Sequence, residues 1–121
     1  MRTFLALMLA PAAALAQSSY PTDFPSGAEP LTQEALKHRL TGKTFVAKPT
    51  VGDEVRTEYQ DTFAYINVGG TSDSGKWRIE GSSICVEWRK IRPSCSEMRL
   101  AGDVLFVKRA NNGEVMALVP K

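Results

Sequence analysis

The chain has 121 residues, with 15 Lys and Arg against 13 Asp and Glu and a formal net charge of +2 at pH 7. This length accommodates one domain with a modest core and excludes two domains. The charges are nearly balanced and interspersed, which argues against a nucleic-acid-binding protein, because such a protein presents a strongly basic face.

Residues 1–16, MRTFLALMLAPAAALA, have the features of a secretory signal peptide. Arg2 supplies the positive start, an apolar run follows, and the small residues before Gln17 form a cleavage site. Pro11 interrupts the run, and a membrane helix needs about 20 apolar residues. We therefore expect cleavage between Ala16 and Gln17, no transmembrane segment in the mature chain, and a periplasmic or secreted protein.

Residues 17–30, QSSYPTDFPSGAEP, are rich in Pro and Ser and lack hydrophobic periodicity. This composition predicts a flexible leader, from which Tyr20 and Phe24 are able to pack on the folded part. A single β-rich domain is expected over residues 31–121.

The first element of that domain is a short helix over LTQEALKHRLTG, residues 31–42. Thr32 is placed to cap its N-terminus, and a glycine ends the pattern. Ala35, Leu36 and Leu40 would form the face that packs on the rest of the domain.

Everything after the helix has the pattern of strands and turns. Apolar and polar residues alternate in short segments separated by Gly-, Asn- and Asp-containing turns. The residues GGTSDSG, 69–75, are typical of a flexible loop, and 54–68 is either one long strand or a hairpin bent near Gln60. The remaining strand segments are 43–48, 76–81, 83–90, 94–100, 103–109 and 114–119. The expected fold is mainly β, with the helix packed on an antiparallel β-sandwich or small barrel of about 6–8 strands.

Cys85 and Cys95 are the two cysteines of the chain. In an exported protein such a pair favours a disulfide. Pairing the two strands antiparallel about Lys90 places the cysteines directly opposite each other. Two free thiols or a reactive pair are the alternatives. A metal site would need further Cys or His ligands close by, and we expect neither a metal nor a cofactor.

Alternation divides the residues around this pair between two faces of the strands. One face carries the apolar side chains expected in the core, and the other, mainly polar, carries both cysteines. The expected core residues of these strands are Trp77, Ile79, Ile84, Val86, Trp88, Met98 and Leu100.

A basic tip, defined as residues 89–92, turns the chain between the two cysteine-bearing strands. An exposed, rigid basic turn favours contact with an acidic envelope protein or an anionic polymer, although surface loops also carry charge without any partner. The candidate contact surface combines this tip with the loop 69–76 and consists of Ser72, Ser74, Lys76, Arg89, Lys90, Ile91 and Arg92.

The chain is poorly supplied with catalytic groups. His38 is its one histidine, and a place near the C-terminus of the helix explains it without a catalytic role. Glu54, Glu58 and Asp61 formally allow a hydrolase with paired carboxylates, but Arg56 lies between the two glutamates on the same strand face. We predict no catalytic residue and expect a protein that is not an enzyme.

A β-barrel is also able to carry a small apolar ligand. Five aromatic side chains are expected in the interior, where they would leave little volume for a ligand: Phe45, Phe63, Trp77, Trp88 and Phe106.

The motif G-K-W-x-x-x-G-x-x-x-C-x-x-W, residues 75–88, is followed by Cys95 and by G-D-V-L at residues 102–105. Together with the helix–Gly–strand start, this pattern resembles small exported proteobacterial proteins of unknown function, over roughly residues 31–119. The resemblance implies a periplasmic or secreted β-rich domain and supplies no catalytic residues.

A second resemblance is to periplasmic inhibitors of c-type lysozyme, small β-barrels that present a Ser- and Gly-rich loop followed by Lys to the cleft of the enzyme. The residues TSDSGK, 71–76, carry this resemblance. It implies inhibition of a lysozyme-like hydrolase through the loop 69–76.

The sequence thus predicts an exported, monomeric, non-enzymatic domain that acts by binding or by structural association in the cell envelope, with no nucleic-acid partner. Inhibition of a hydrolase and carriage of a small apolar ligand are the alternatives.

Overall fold

A computed structural model describes residues 19–121, so the predicted signal peptide and its cleavage site lie outside the described residues. The described part consists of nine strands and one helix. Their bounds are β1 Glu29–Pro30, α1 Gln33–Leu40, β2 Lys43–Ala47, β3 Val55–Tyr59, β4 Phe63–Val68, β5 Thr71–Glu80, β6 Ser83–Trp88, β7 Ser94–Ala101, β8 Val104–Lys108 and β9 Val115–Pro120.

Strands β2 to β9 form a closed, eight-stranded antiparallel barrel. Each strand pairs with the next along the chain, and β2 also pairs with β9, which closes the sheet on itself. The prediction of a mainly β fold is confirmed, and of the two predicted architectures the barrel is the one formed. The segment 54–68 is a hairpin, with β3 and β4 joined by a turn at residues 60–62.

The pairing of β2 with β9, which we call the seam, is short. It contains two register positions, Phe45 with Pro120 and Val46 with Val119. The other pairs of consecutive barrel strands have four to six positions each.

Beyond these two positions, a side chain bridges the seam. The backbone N–H of Thr50 donates a hydrogen bond to the Glu114 carboxylate at 2.8 Å. Glu114 is buried, and its other carboxylate oxygen lies 3.8 Å from the Arg109 guanidinium. Glu114 therefore ties the β2–β3 turn to the β8–β9 turn.

One end of the barrel, which we call the closed end, is covered by α1. The Thr32 hydroxyl accepts a hydrogen bond from the Ala35 N–H at 3.1 Å, which confirms the predicted N-cap. Leu36 and Leu40 are fully buried. The expectation that Ala35 packs is wrong, because an eight-residue helix lying on a barrel end buries only a narrow stripe, and Ala35 faces solvent.

An aromatic layer lies directly beneath the helix. Tyr59 makes edge contacts with Phe45 and Trp77, with ring centroids 6.3 and 5.2 Å apart. The Trp77 indole N–H donates to the Gln60 carbonyl at 2.8 Å. The ammonium of Lys37, on the helix, lies 5.7 Å from the Trp77 ring, in range for a cation–π contact. These contacts fill the closed end.

The segment 69–75 is not the loop that its composition suggested. Only Gly69 and Gly70 form the turn, both with positive φ, and β5 begins at Thr71. The Ser- and Gly-rich residues after the turn pair with β4 on one side and, from Gly75 onward, with β6 on the other. Packing requires a glycine at position 75, because a Cβ there would lie 2.2 Å from the Glu87 carbonyl oxygen.

The described part of the segment 17–30 contacts the barrel wall at several points. The Pro21 carbonyl accepts a hydrogen bond from the Val115 N–H at 2.9 Å. The Arg99 guanidinium lies 4.7 Å from the Phe24 ring centroid. The segment ends in β1, which pairs with β7 at Arg99 and Leu100. Among residues 19–121, no helix is long and apolar enough to cross a bilayer.

The disulfide between Cys85 and Cys95 is present, and the two residues are register partners on β6 and β7, as the alternation predicted. Both lie on the outer face of the wall, since Ile84 and Val86 face inward. Cys85 is nevertheless only 1% exposed. Arg78, its cross-strand partner on β5, flanks it on the side away from Cys95.

The predicted core residues of these strands are confirmed. Trp77, Ile84, Val86 and Met98 belong to the buried core, and three more are partly buried and packed against it: Ile79, Trp88 and Leu100.

We expect Cys95→Ser to lower the free energy of unfolding by about 2–3 kcal/mol, because the cystine closes a short loop whose freedom returns in the unfolded chain. Cys95 is exposed, so the substitution leaves no cavity. Thermal unfolding under non-reducing conditions measures the change, and reduced wild-type protein should unfold at the same temperature as the variant. An unchanged melting temperature would contradict a stabilising disulfide.

Candidate functional site

The interior of the barrel contains a cavity of about 920 Å³ that is open at the end opposite α1. We call this the open end; the β2–β3, β4–β5, β6–β7 and β8–β9 turns surround it. The lining is mostly apolar and comes from every barrel strand except β5. It comprises Ala47, Val55, Thr57, Tyr59, Ile66, Val68, Ile84, Val86, Trp88, Ile91, Arg92, Pro93, Ser94, Ser96, Met98, Val107, Arg109, Ala110, Asn111, Met116 and Leu118.

The cavity exists because fewer aromatic side chains point inward than the sequence led us to expect. Phe63 is 41% exposed on the outer face of β4. Phe106 alternates with the buried residues Leu105 and Val107 and therefore faces outward. Trp88 lines the wall without filling the interior. The expectation that little volume remains is wrong, since inward positions at the open end carry small or branched aliphatic side chains.

Two hydroxyl groups lie deep in the cavity wall, on β3. Thr57 and Tyr59 alternate inward with Val55 and are both buried. Burial raises the pKa of Tyr59 far above its ordinary value, because the phenolate would be poorly solvated there. The hydroxyl is therefore neutral at any physiological pH, and the deep cavity carries no charge of its own.

The basic tip forms one side of the rim of the cavity. Ile91, Arg92 and Pro93 line the opening, and Ile91 is 37% exposed. Another part of the rim is the β8–β9 turn, which contributes Arg109 and Asn111. The disulfide joins β6 and β7, the two strands that the basic tip connects.

The backbone of the tip is held in place by Asp73, a buried residue of β5. Its carboxylate accepts hydrogen bonds from the N–H groups of Lys90 and Ile91, both at 2.8 Å, and more weakly from Arg89 at 3.3 Å. It also accepts from the N–H of Ser74 at 2.8 Å. Burial alone would raise the pKa of Asp73, but the four N–H groups outweigh burial and hold it below its ordinary value.

The structure divides the candidate contact surface among three places. Four of its members lie around a shallow concavity of about 470 Å³ on the outer wall, which Tyr65 and Asp73 also line: Ser72, Ser74, Arg89 and Lys90.

The remaining members of that surface lie elsewhere. Ile91 and Arg92 belong to the cavity rim. Lys76 is exposed farther along the outer face of β5, where it pairs in register with Phe63 and Glu87. Residues 71–76 belong to strand β5, so only their side chains project from the wall. Under the lysozyme-inhibitor hypothesis, the enzyme would therefore contact a strand face and not a loop.

The groups considered for catalysis are not gathered in the cavity. His38 is exposed on α1 at the closed end. Glu54 precedes β3 at the open end, whereas Asp61 lies in the β3–β4 turn at the closed end. A Glu80 carboxylate oxygen lies within 4.8 Å of both cystine sulfurs, but joined sulfurs lack the thiolate that binds a metal.

Two features of this site were missed from the sequence alone. Arg109 was assigned to a strand and not to a rim, although it stands directly before the A-N-N-G turn. The inward face of β3, with Val55, Thr57 and Tyr59, was not identified as a binding surface, because only the opposite face, with Glu54, Arg56 and Glu58, was considered. The alternation in the sequence shows which side chains point inward in both strands. It does not show which end of the barrel stays open, because that depends on where α1 packs.

Comparison with protein-family models, curated proteins and solved structures finds no match to this chain. The resemblances to small exported proteobacterial proteins and to lysozyme inhibitors therefore stay predictions.

We expect Asp73→Asn to destabilise the protein at pH 7 and to remove part of its acid sensitivity. The folded-state pKa lies below the ordinary value of 3.8. The stabilisation by the carboxylate is therefore complete above that value and is lost as the pH falls through the folded-state pKa. The difference in melting temperature between wild type and variant should accordingly shrink between pH 7 and about pH 2.

Asp103→Asn, at an exposed turn between β7 and β8, is the matched control and should show little difference from wild type at either pH. A gap between wild type and Asp73→Asn that is equally large at both pH values would contradict the role assigned to the charge.

Proposed function

We propose that this protein is an exported, non-enzymatic binding domain that takes a small apolar ligand into the interior of its barrel. The observation that carries the proposal is the cavity of about 920 Å³, closed at one end by α1 and open at the other. Its volume is within the range of ligand sites, about 300–1,000 Å³. An eight-stranded barrel is also the size at which the interior holds one small ligand.

The chemistry of the wall supports an apolar occupant. Burial of apolar surface contributes about 25 cal/mol per Å², and most of the lining side chains are aliphatic. The few polar groups, such as Thr57 and Tyr59, would orient the ligand more than attract it. The walls are hydrogen-bonded strands, so the site is formed before the ligand arrives and little ordering is required on binding.

Binding without catalysis is the mode of action favoured by the placement of the reactive groups. Both cysteines are oxidised on the outer wall, and His38 is at the opposite end from the opening. The charged side chains of the lining are arginines, and arginine stays protonated and does not exchange protons near neutral pH.

Export to the periplasm or beyond the cell, after cleavage between Ala16 and Gln17, is part of the proposal. The disulfide supports it, because such bonds form and persist in oxidising compartments and are rare in the cytosol of mesophiles.

The outer concavity beside the basic tip supports a second function, contact with an acidic envelope protein or an anionic polymer. Asp73 orders the tip backbone, and the Lys90 ammonium donates to the Ser72 carbonyl at 3.0 Å. Arg89 and Lys90 are thereby presented on an ordered base, which lowers the entropy cost of a contact.

We expect Val68→Trp to weaken binding of a neutral apolar fluorescent probe by roughly tenfold or more, a loss of about 1.4 kcal/mol. Val68 lines the cavity at the open end, and an indole there would occupy its mouth. The adjacent Asn67 faces outward and is exposed, so Asn67→Trp is the matched control and should bind as wild type. Equal binding by both variants, with unchanged melting temperatures, would rule out the cavity as the site.

For the second function, we expect Arg89→Glu/Lys90→Glu to abolish retention on an anionic polysaccharide resin at low salt, without a change in melting temperature. Lys43→Glu/Arg56→Glu makes the same change in net charge at exposed positions outside the concavity. If both double variants lose retention equally, binding reflects net charge, and the basic tip has no special part in it.

A further inference from the structure

We infer that the ligand is an amphiphile whose alkyl chain enters the barrel and whose negatively charged head group stays at the rim beside Arg92 and Arg109. This inference rests on the proposed function and names the class of its ligand. The juxtaposition that carries it is a pair of arginines at the open end of an otherwise uncharged and mostly apolar cavity in the described part of the chain.

The charged side chains that line the cavity are all positive. Arg92 and Arg109 both belong to the cavity lining, whereas no acidic side chain does. Two acids lie behind the rim, and both are already hydrogen-bonded. The Asp73 carboxylate accepts from four backbone N–H groups, including that of Ile91. Glu114 is buried 3.8 Å from Arg109 and accepts from the Thr50 N–H. A guanidinium has five N–H donors, so this one distant contact leaves Arg109 with donors for a ligand.

Arg92 is the better placed of the two. Among residues 19–121, no carboxylate lies within 4.0 Å of its guanidinium. Its backbone follows the segment that Asp73 holds and precedes Pro93, so the side chain projects from an ordered turn. A planar guanidinium binds a carboxylate or a phosphate through two parallel hydrogen bonds. Arg92 is therefore prepared for an anionic group at the edge of an apolar space.

The closed end determines the shape of the occupant. Leu36 and Leu40 of α1 and the aromatic layer beneath them block the far end of the barrel. A polymer cannot pass through, so the occupant must enter with a free end first. An alkyl chain with the charge at its other end satisfies both the apolar wall and the basic rim, whereas a cationic amphiphile would place like charges together.

The test compares four probes with the same twelve-carbon chain, each below its micellar concentration: dodecanoate, dodecyl phosphate, dodecanol and dodecyltrimethylammonium. Trp88 lies in the cavity wall, so its fluorescence reports occupancy. We expect the two anions to bind roughly tenfold or more tightly than dodecanol, and the cation to bind most weakly. The ratio between the carboxylate and the phosphate distinguishes a fatty acid from a phosphate-headed lipid as the source of the head group.

Two variants test whether the preference for an anionic head group depends on the rim. Arg92→Gln should remove most of the advantage of dodecanoate over dodecanol, because it weakens dodecanoate binding far more than dodecanol binding, with an unchanged melting temperature. Arg56→Gln removes the same charge from the exposed outer face of β3, near the same end of the barrel, and should keep the advantage. Shortening the chain to decanoate should weaken binding by roughly fourfold for each methylene lost, since the chain is buried.

The outcomes separate the inference from the function on which it rests. If dodecanol and the cation bind as tightly as the anions, the cavity is a binding site and the head-group inference is overturned. If the preference for anions survives in Arg92→Gln, the assignment to Arg92 is overturned. If none of the four probes binds, dodecanol included, the proposed function is overturned together with the inference.

Discussion

The pairing of β2 with β9 is the constraint on which the rest of the structure depends. Every other strand pair within the barrel joins neighbours along the chain, so turns and alternation are sufficient to form it. The seam joins residues more than 70 positions apart and contains two register positions. Closing so long a loop costs entropy that local hairpins do not. Without the seam, the sheet would have two exposed edges and no interior.

The two ends of the closed barrel differ, and this difference makes it a container. At one end α1 and the layer of Phe45, Tyr59 and Trp77 fill the interior. At the other end the turns hold the opening apart. Asp73 positions the tip that forms part of the rim, and Glu114 holds two turns together across the seam. The basic tip and the apolar interior, which were separate hypotheses, thus belong to one site.

Much of the wall could be predicted from local pattern. The alternation around Cys85 and Cys95 gave the correct register and the correct inward residues, because strand periodicity and a single cysteine pair leave little choice. The prediction of a loop over residues 69–75 was wrong. Ser and Gly are common in loops, and these residues form a strand only because they pair with the neighbouring β4 and β6. The expectation that Phe63 is buried was wrong for a related reason, since the hydrophobicity of a residue alone does not say which face of its strand points inward.

The sequence by itself determined the mainly β class, the hairpin order, the helix cap at Thr32 and the disulfide, all of which arise from contacts between near neighbours in the chain. The tertiary structure alone decided that the sheet closes, that α1 blocks one end, and that Arg92 and Arg109 both line the rim at the opposite end of a cavity. These features depend on the sheet curling until its first and last strands pair. No local pattern encodes how much space such a closed sheet encloses.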